Sequence, residues 1–172
     1  AAKLKFDIEA STATVIEPLS NLLASIPAAR LFDEIIKLLM AGQADATLEL
    51  LFQYGLLQYL VPQADDQLRS KNDFAKKLFS AAMQNTDRRI AAEKPVTPAF
   101  IYATLLWPSV VKYQEEFEQQ GLPPAAALSQ AAQQAITLQT QSTTIPRRFS
   151  SVIHEIWDLQ LRLPNRHGRK LK

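Results

Sequence analysis

Residues 28–41 read AARLFDEIIKLLMA, and the apolar side chains of this stretch recur with the period of an α-helix. The stripe that would face inward comprises Leu31, Phe32, Ile35, Ile36, Leu38 and Leu39. A helix with one apolar side has to bury that side against other secondary-structure elements. The stretch therefore predicts an amphipathic helix that is part of a packed helical core.

Similar patterns recur along the rest of the chain, and the residues between them are typical of helix ends. Gly42, Gly55 and Gly121 follow apolar stretches, where a helix end favours a residue that tolerates positive φ. We expect further helices near residues 12–24, 44–54, 72–86, 97–107, 109–120, 123–140 and 146–163, and a short one that ends at Val61. No long stretch alternates with the period of a strand. The sequence predicts an all-α fold, an irregular multi-helix array of roughly eight to nine helices with no significant sheet.

Two regions are expected within this array. Residues 62–71 are polar and form the predicted joint between a helical region at 1–61 and a body at 62–172 that ends in a basic segment. A chain of 172 residues with 47% hydrophobic side chains suits one domain or one compact piece of a larger protein. Because the first residue is an alanine and not a methionine, we expect a segment cut from within a longer protein.

Composition excludes several classes of protein. The chain has no cysteine, which rules out a disulfide framework, a thiolate zinc site and a cysteine nucleophile. Cysteine-free composition is compatible with a reducing environment, and we expect a cytoplasmic location. No apolar run approaches the roughly 20 residues that span a bilayer, so no membrane partner is expected.

Charge is distributed unevenly along the sequence. The net charge is +2, but residues 147–172 hold seven lysines and arginines against two acids, a local net charge of +5. The remainder has a net charge of −3. A neutral-to-acidic body with a basic end is typical of proteins that contact a polyanion, although a solvated basic terminus would show the same pattern.

Groups that could form a catalytic centre do not converge in the sequence. Pairs of carboxylates two residues apart on a strand can hold catalytic metal ions, and the nearest matches are Asp7 with Glu9 and Glu116 with Glu118. The second pair lies on a predicted helix, where residues i and i+2 diverge, and the first is followed at once by a helix start. Two histidines are too few for most metal sites. The sequence therefore predicts no catalytic residues and no metal site in this chain.

Seven short phrases match a known pattern of residues. They are AAKLKFDI at 1–8, IPAARLFDEIIKLL at 26–39, NTDRRI at 85–90, PAFIYA at 98–103, IPRRF at 145–149, IWDLQLRL at 156–163 and RHGRK at 166–170. Together they resemble the neck, the body and the start of the arginine-rich C-terminal region of bacterial poly(A) polymerases. The resemblance spans essentially the whole chain and is loose over residues 62–84 and 109–142.

This resemblance implies a function for the complete protein and for this portion of it. The complete protein would add AMP units from ATP to RNA 3′ ends, with ATP and Mg²⁺ held in a catalytic head outside this chain. No cofactor is expected in the chain itself, which would bind RNA. Its expected partners are RNA 3′ ends and RNA-decay proteins, and its oligomeric state is open. Arg30, Glu34 and Lys37 match a neck motif whose implied role is to brace the structure, with Glu34 between the two cations.

The basic residues near the end of the chain are the predicted contacts with RNA phosphates, which give affinity without sequence information. They are Arg147, Arg148, Arg166, Arg169, Lys170 and Lys172. Arg88 and Arg89 are a second candidate pair, which could instead complement the dipole at a helix end. Trp107, Trp157 and Phe149 lie in apolar stripes, so we expect them to pack in the core and not to stack on bases.

Two other functions fit parts of the same sequence. The early motifs are shared with CCA-adding enzymes, whose partner is tRNA. The basic end and the phrases between 145 and 162 favour a poly(A) polymerase over that alternative. A helical scaffold that binds other proteins is the second alternative, since helices alone do not specify a ligand.

Overall fold

The computed structural model describes residues 1–162. This part of the chain forms nine α-helices and one 3₁₀ helix at Ser20–Ser25. The α-helices are α1 Ala10–Leu19, α2 Ala28–Leu39, α3 Ala44–Gln53, α4 Leu57–Leu60, α5 Pro62–Arg69, α6 Asp73–Ala91, α7 Pro98–Gln119, α8 Pro124–Thr140 and α9 Arg147–Gln160. No strand occurs between residues 1 and 162, and the predicted all-α class is confirmed.

Helix α7 is the centre of the core. Its fully buried side chains include Ile101, Tyr102, Leu105 and Leu106. Helix α8 returns antiparallel along α7 after the turn at 120–123, where Gly121 adopts a φ of 94° that favours glycine. Helix α9 covers another side of α7 with Ile153 and Trp157, and α6 and α5 pack against α7 as well. The predicted core positions of Trp157 and, in part, of Trp107 and Phe149 are confirmed.

Helix α7 also corrects the sequence prediction of two helices at 97–107 and 109–120. It runs without a break through Pro108, which is buried. A proline inside a helix lacks the N–H that would bond to the carbonyl four residues earlier, here that of Thr104. The helix continues because Leu105 and Leu106 before Pro108 and Val110 after it are buried in the same core. Trp157 donates a hydrogen bond from its indole N–H to the neighbouring carbonyl of Ala103, at 3.0 Å.

The polar stretch at 62–71 is largely helical and partly buried. It forms α5, in which Asp65 is 2% exposed and bonds to the guanidinium of Arg69. This contact raises the pKa of Arg69. Gln63 is also buried and donates to the carbonyl of Ala135 on α8 at 2.9 Å. Polar residues in this stretch therefore hold α5 against the neighbouring helix α8. The division into 1–61 and 62–172 stays a prediction.

Two apolar side chains differ from the expected burial. Leu38, assigned to the inward stripe of α2, is 44% exposed. Phe74, which with Leu78 and Ala82 forms the inward stripe that the sequence predicts for the helix near 72–86, is 47% exposed. Both lie at the edges of their stripes, where periodicity does not determine how far a neighbouring helix reaches.

Candidate nucleic-acid interface

One end of the helical bundle brings together four of the eight basic residues predicted from the sequence to bind RNA. The short connections at 92–97 and 141–146 join the end of α6 to the start of α7 and the end of α8 to the start of α9. Because α7 and α8 form an antiparallel hairpin, these four helix ends lie at the same end of the bundle. Arg88 and Arg89 lie in the last turn of α6, and Arg147 and Arg148 lie in the first turn of α9. We call this the arginine end of the bundle.

Helix α2 crosses the arginine end. At the start of α2, the carbonyl of Ala28 accepts a hydrogen bond at 3.1 Å from the backbone N–H of Thr144 in the connection before α9. Just after the end of α2, a Cβ on Gly42 would lie 3.4 Å from the side chain of Ile90 on α6, and Gly42 has a φ of 84°. The start of α2 is thus hydrogen-bonded to the connection before Arg147, and the turn after α2 passes close to Ile90, next to Arg89.

An aromatic stack holds the start of α9 on this end. Phe32 of α2 lies between two other rings, with centroid distances of 5.5 Å to Tyr102 and 5.9 Å to Phe149. The guanidinium of Arg148 lies over the ring of Phe149, 4.8 Å from its centroid. A cation over an aromatic face is held by the ring quadrupole. Arg148 is therefore exposed yet fixed in position by a buried structure.

A buried polar cluster supports the other end of this stack. The hydroxyl groups of Tyr102 and Thr143 are 2.8 Å apart and hydrogen-bonded. Thr143 also bonds to the carbonyl of Leu60 and accepts a bond from the side-chain amide of Gln139 at 2.6 Å. Burial raises the pKa of the Tyr102 hydroxyl, because the phenolate would lose its hydration. The cluster joins α4, α7 and α8 behind the aromatic stack.

The first turn of α9 has the electrostatic character of an anion site. Arg147 and Arg148 are both exposed, and no side chain caps the helix after Pro146. Cations are disfavoured by the positive end of a helix dipole, so two arginines at a helix start are not explained by helix stability. An anion placed there would be attracted both by the dipole and by the two guanidinium groups.

The two arginines of the second pair, Arg88 and Arg89, have different roles. Arg89 donates two hydrogen bonds, at 3.1 and 2.9 Å, to the carbonyl of Pro95 and so holds the connection to α7. Arg88 is exposed on the same turn. Within the same phrase of sequence, Asp87 accepts bonds from the backbone N–H groups of Ala44 at 2.6 Å and Asp45 at 3.2 Å. Asp87 therefore caps α3 from another helix, an interaction that no local sequence pattern predicted.

The neck motif on α2 is exposed, and only part of its expected ion ladder is present. Glu34 pairs with Lys37 at 3.0 Å, and within residues 1–162 it makes no ion pair with Arg30. All three side chains face solvent. Their bracing role stays a prediction.

Four of the predicted RNA-binding residues, Arg166, Arg169, Lys170 and Lys172, lie outside the described residues. Within residues 1–162, no three acidic or histidine side chains come together as a metal site would require. His154 packs edge-on against Trp157, with 5.9 Å between ring centroids. No helix in this part of the chain is both long and apolar enough to cross a membrane.

Comparison with known proteins gives matches along most of the chain. Residues 5–68 match a family model described as "Probable RNA and SrmB- binding site of polymerase A", and residues 120–172 match one described as "Polymerase A arginine-rich C-terminus". The chain is 38% identical over 169 residues to poly(A) polymerase I of Haemophilus influenzae and 36% identical over 172 residues to that of Salmonella typhimurium. These alignments cover 97% and 99% of this chain but 37% of each relative.

The chain thus spans little more than a third of the length of these relatives. The relatives align with nearly all of it, and the two family models account for its first and last parts. The chain is therefore similar over nearly all of its length to bacterial poly(A) polymerases I, and it matches the models of two regions of polymerase A.

Proposed function

We propose that this chain is the RNA-holding portion of a poly(A) polymerase and that its arginine end contacts RNA phosphates. The observation that carries the proposal is the placement of two exposed arginines, Arg147 and Arg148, at the start of a helix where cations do not stabilise the helix itself. The family model that matches residues 5–68 is described as a probable RNA-binding site, and the one that matches residues 120–172, which include both arginines, is described as an arginine-rich C-terminus.

Charge supports placing the RNA contacts in the later part of the sequence. Residues 5–68, the acidic region, hold three lysines and arginines against nine acids, a net charge of −6. Residues 69–172, the basic region, hold fifteen against eight, a net charge of +7. The basic region therefore attracts RNA phosphates over long range more strongly than residues 5–68, which match the model described as a probable RNA-binding site. We therefore assign the phosphate contacts of the basic region to Arg147, Arg148, Arg166, Arg169, Lys170 and Lys172, with Arg88 as an additional contact.

Contacts of this kind suit a growing product without a template. Phosphate contacts carry no sequence information, so the same surface can hold each new 3′ end as the RNA lengthens. Aromatic stacking on bases is not part of the proposal, since the ring of Phe149 is already stacked on Phe32 and Trp157 is 1% exposed.

The complete protein would use ATP and Mg²⁺ to add AMP to RNA 3′ ends in the cytoplasm. The described residues offer no cluster of carboxylates for Mg²⁺, so no chemical step is assigned to them. RNA-decay proteins are proposed partners, and the description of the first family model names SrmB. The division into a first region at 1–61 and a body at 62–172 is part of the same proposal.

A charge-reversal experiment tests the arginine end. The double variant Arg147→Glu/Arg148→Glu is expected to lower the affinity for fluorescent oligo(A) by about tenfold or more, because two attractive interactions with phosphates become repulsive. The slope of log affinity against log salt should fall by about 0.7 for each phosphate of single-stranded RNA that is no longer neutralised. Fluorescence anisotropy at several salt concentrations measures both quantities.

Lys76→Glu/Lys77→Glu is the matched control. It makes the same change in net charge on two adjacent, exposed lysines in the first half of α6, away from the end that carries Arg88. The control should weaken binding much less than the arginine variant. Equal losses would show that only net charge matters, and unchanged binding in the arginine variant would remove the proposed site. Charge reversal at Arg166, Arg169, Lys170 and Lys172 measures separately how much the last residues contribute to the affinity for RNA.

A further inference from the structure

The connection from α8 to α9, residues 141–146, is anchored in the core although it only joins two helices at the arginine end. Thr143 is completely buried, and Ile145 packs in the hydrophobic core. The backbone N–H of Thr144, between these two residues, donates to the carbonyl of Ala28 on α2 at 3.1 Å. Connections usually run over the protein surface and move more than the helices they join. Here, three consecutive residues are fixed to the helical core.

The hydroxyl group of Thr143 uses its full hydrogen-bonding capacity. A threonine hydroxyl can donate one hydrogen bond and accept two. That of Thr143 donates to the carbonyl of Leu60 at 3.2 Å and accepts from the side-chain amide of Gln139 at 2.6 Å. The other acceptor position is filled by the hydroxyl of Tyr102 at 2.8 Å, which donates because the proton of Thr143 is already engaged. A side chain without the hydroxyl would therefore lose three bonds at once.

The three partners of this hydroxyl lie on three different helices. Leu60 is the last residue of α4, Tyr102 lies in α7, and Gln139 lies in the last turn of α8. The side-chain amide of Gln139 also donates to the carbonyl of Leu60 at 2.8 Å, so the four residues form one network. Leu60 lies in the range matched by the first family model, and Gln139 and Thr143 lie in that matched by the second. The network therefore joins the two matched regions inside the protein.

The pair formed by Arg147 and Arg148 lies between two anchors. Ile145, two residues before the pair, is 6% exposed, and Phe149, directly after it, is part of the aromatic stack. Pro146 has a φ of −57°, which its ring restricts. The backbone of the pair is thus held by contacts on both sides, whereas the two side chains are exposed.

We propose that Thr143 is a positioning residue for RNA binding, because its hydroxyl fixes the start of α9 and thereby the location of Arg147 and Arg148. This inference rests on the proposed function of the arginine end. Thr143 precedes Arg147 by four residues, so a shift of the connection moves the arginine pair. Groups that are in place before a ligand arrives lose less conformational freedom on binding. Thr143 is buried and contacts no RNA itself; it acts through the arginine pair.

Removal of the hydroxyl alone tests the proposal. Thr143→Val should lower the affinity for fluorescent oligo(A) by about threefold or more, since the start of α9 then has to be ordered when RNA binds. Thr143→Ser retains the hydroxyl and should bind oligo(A) about as tightly as the unmodified chain. Fluorescence anisotropy is measured well below the melting temperature of each variant, which circular dichroism determines. Unchanged affinity in folded Thr143→Val would overturn the proposal.

Thr104→Val is the matched control. Thr104 is 8% exposed, and its hydroxyl donates at 2.9 Å to the carbonyl of Phe100 within α7. The same chemical change at this position should leave the affinity for oligo(A) unchanged, whatever its effect on the melting temperature. Equal losses of affinity in the two threonine variants would show that overall stability, and not the location of the arginine pair, determines binding. That result would also overturn the proposal.

A double-mutant cycle separates this inference from the proposed function. If Thr143 acts through the arginine pair, Thr143→Val should lower the affinity little further once Arg147→Glu/Arg148→Glu is present. An undiminished loss in that background would place the action of Thr143 elsewhere and overturn the inference. Normal binding by the arginine variant would overturn the proposed function and the inference with it. Weak binding by the arginine variant with normal binding by Thr143→Val would overturn the inference alone.

Hydrogen exchange in the unmodified chain gives a result even if Thr143→Val does not fold. Because coupling between two sites is reciprocal, RNA that depends on a fixed connection also stabilises that connection. The amide protons of Thr143 and Thr144 bond to the carbonyls of Gln139 and Ala28. They should exchange about threefold or more slowly when oligo(A) is bound, as NMR can measure. Equal exchange rates with and without oligo(A) contradict the proposed role of Thr143.

Discussion

The acidic region and the basic region use apolar side chains in opposite ways. In the basic region, rings and aliphatic chains are buried around α7, and Tyr102, Phe79 and Trp157 are each at most 1% exposed. In the acidic region, α2 and α3 reach the core, but α1 and the residues before it leave their apolar side chains exposed. Apolar content alone therefore does not indicate where stability comes from. The basic region buries most of its large apolar side chains, whereas the start of the acidic region leaves its apolar side chains exposed.

The largest expected difference between the two regions is in the effect of deleting one apolar side chain. Trp157→Ala should destabilise the chain by about 3–5 kcal/mol, since it leaves a cavity and removes the bond to the carbonyl of Ala103. Leu19→Ala should change the free energy of unfolding by no more than about 0.5 kcal/mol in this chain. Urea unfolding of both variants measures the contrast. Similar losses would show that α1 contributes to the core as fully as α9.

A smaller effect is expected where the two regions are joined. Asp87→Ala should cost about 1–2 kcal/mol, because Ala44 and Asp45 lose the carboxylate that caps α3. Asp33→Ala is the control, since Asp33 is exposed on α2 and its removal should cost within about 0.5 kcal/mol. Amide exchange in α3 reports the missing cap directly. Exchange in α3 that is the same in both variants would argue against capping by Asp87.

The smallest expected effect concerns the hydroxyl behind the aromatic stack. Tyr102→Phe should cost about 1 kcal/mol at neutral pH, because it removes the hydrogen bond to Thr143. The pKa of Tyr102 is raised above the ordinary value of 10.0, so the folded chain retains this proton to higher pH than the unfolded chain. Stability from this group is complete below about pH 10 and is lost as the pH rises further.

Tyr102→Phe should therefore lower the free energy of unfolding at neutral pH. It should also make the decrease of this free energy above about pH 10 less steep. Urea unfolding at several pH values from neutral to alkaline gives the slope of the free energy of unfolding against pH for the variant and for the unmodified chain. A variant that loses stability above about pH 10 as steeply as the unmodified chain would show that Tyr102 does not titrate in this way.

Much of the helical pattern could be predicted because it is local. The stripes of α2 and α9 follow from spacing alone, and the core position of Trp157 follows from its place in such a stripe. Pro108 misled the prediction, because the local cost of a proline was outweighed by burial that only the assembled core provides.

Interactions between distant residues were the part that the sequence could not supply. Asp87 caps a helix that begins 43 residues earlier, and no local pattern indicates such a partner. For the candidate site, the pairing of Arg147 with Arg148 was visible in the sequence. The stack that fixes Arg148 was not, since it takes one ring from each of three helices.

The bond from Trp157 to Ala103 spans 54 residues and has a consequence for synthesis of the protein. Helix α9 follows α7 and α8 in the sequence, so Trp157 reaches the carbonyl on α7 only after those helices have left the ribosome. Arg147 and Arg148 are carried by that same late helix. In a nascent chain the stack that fixes Arg148 can therefore form only after α2, α7 and α8 have been synthesised.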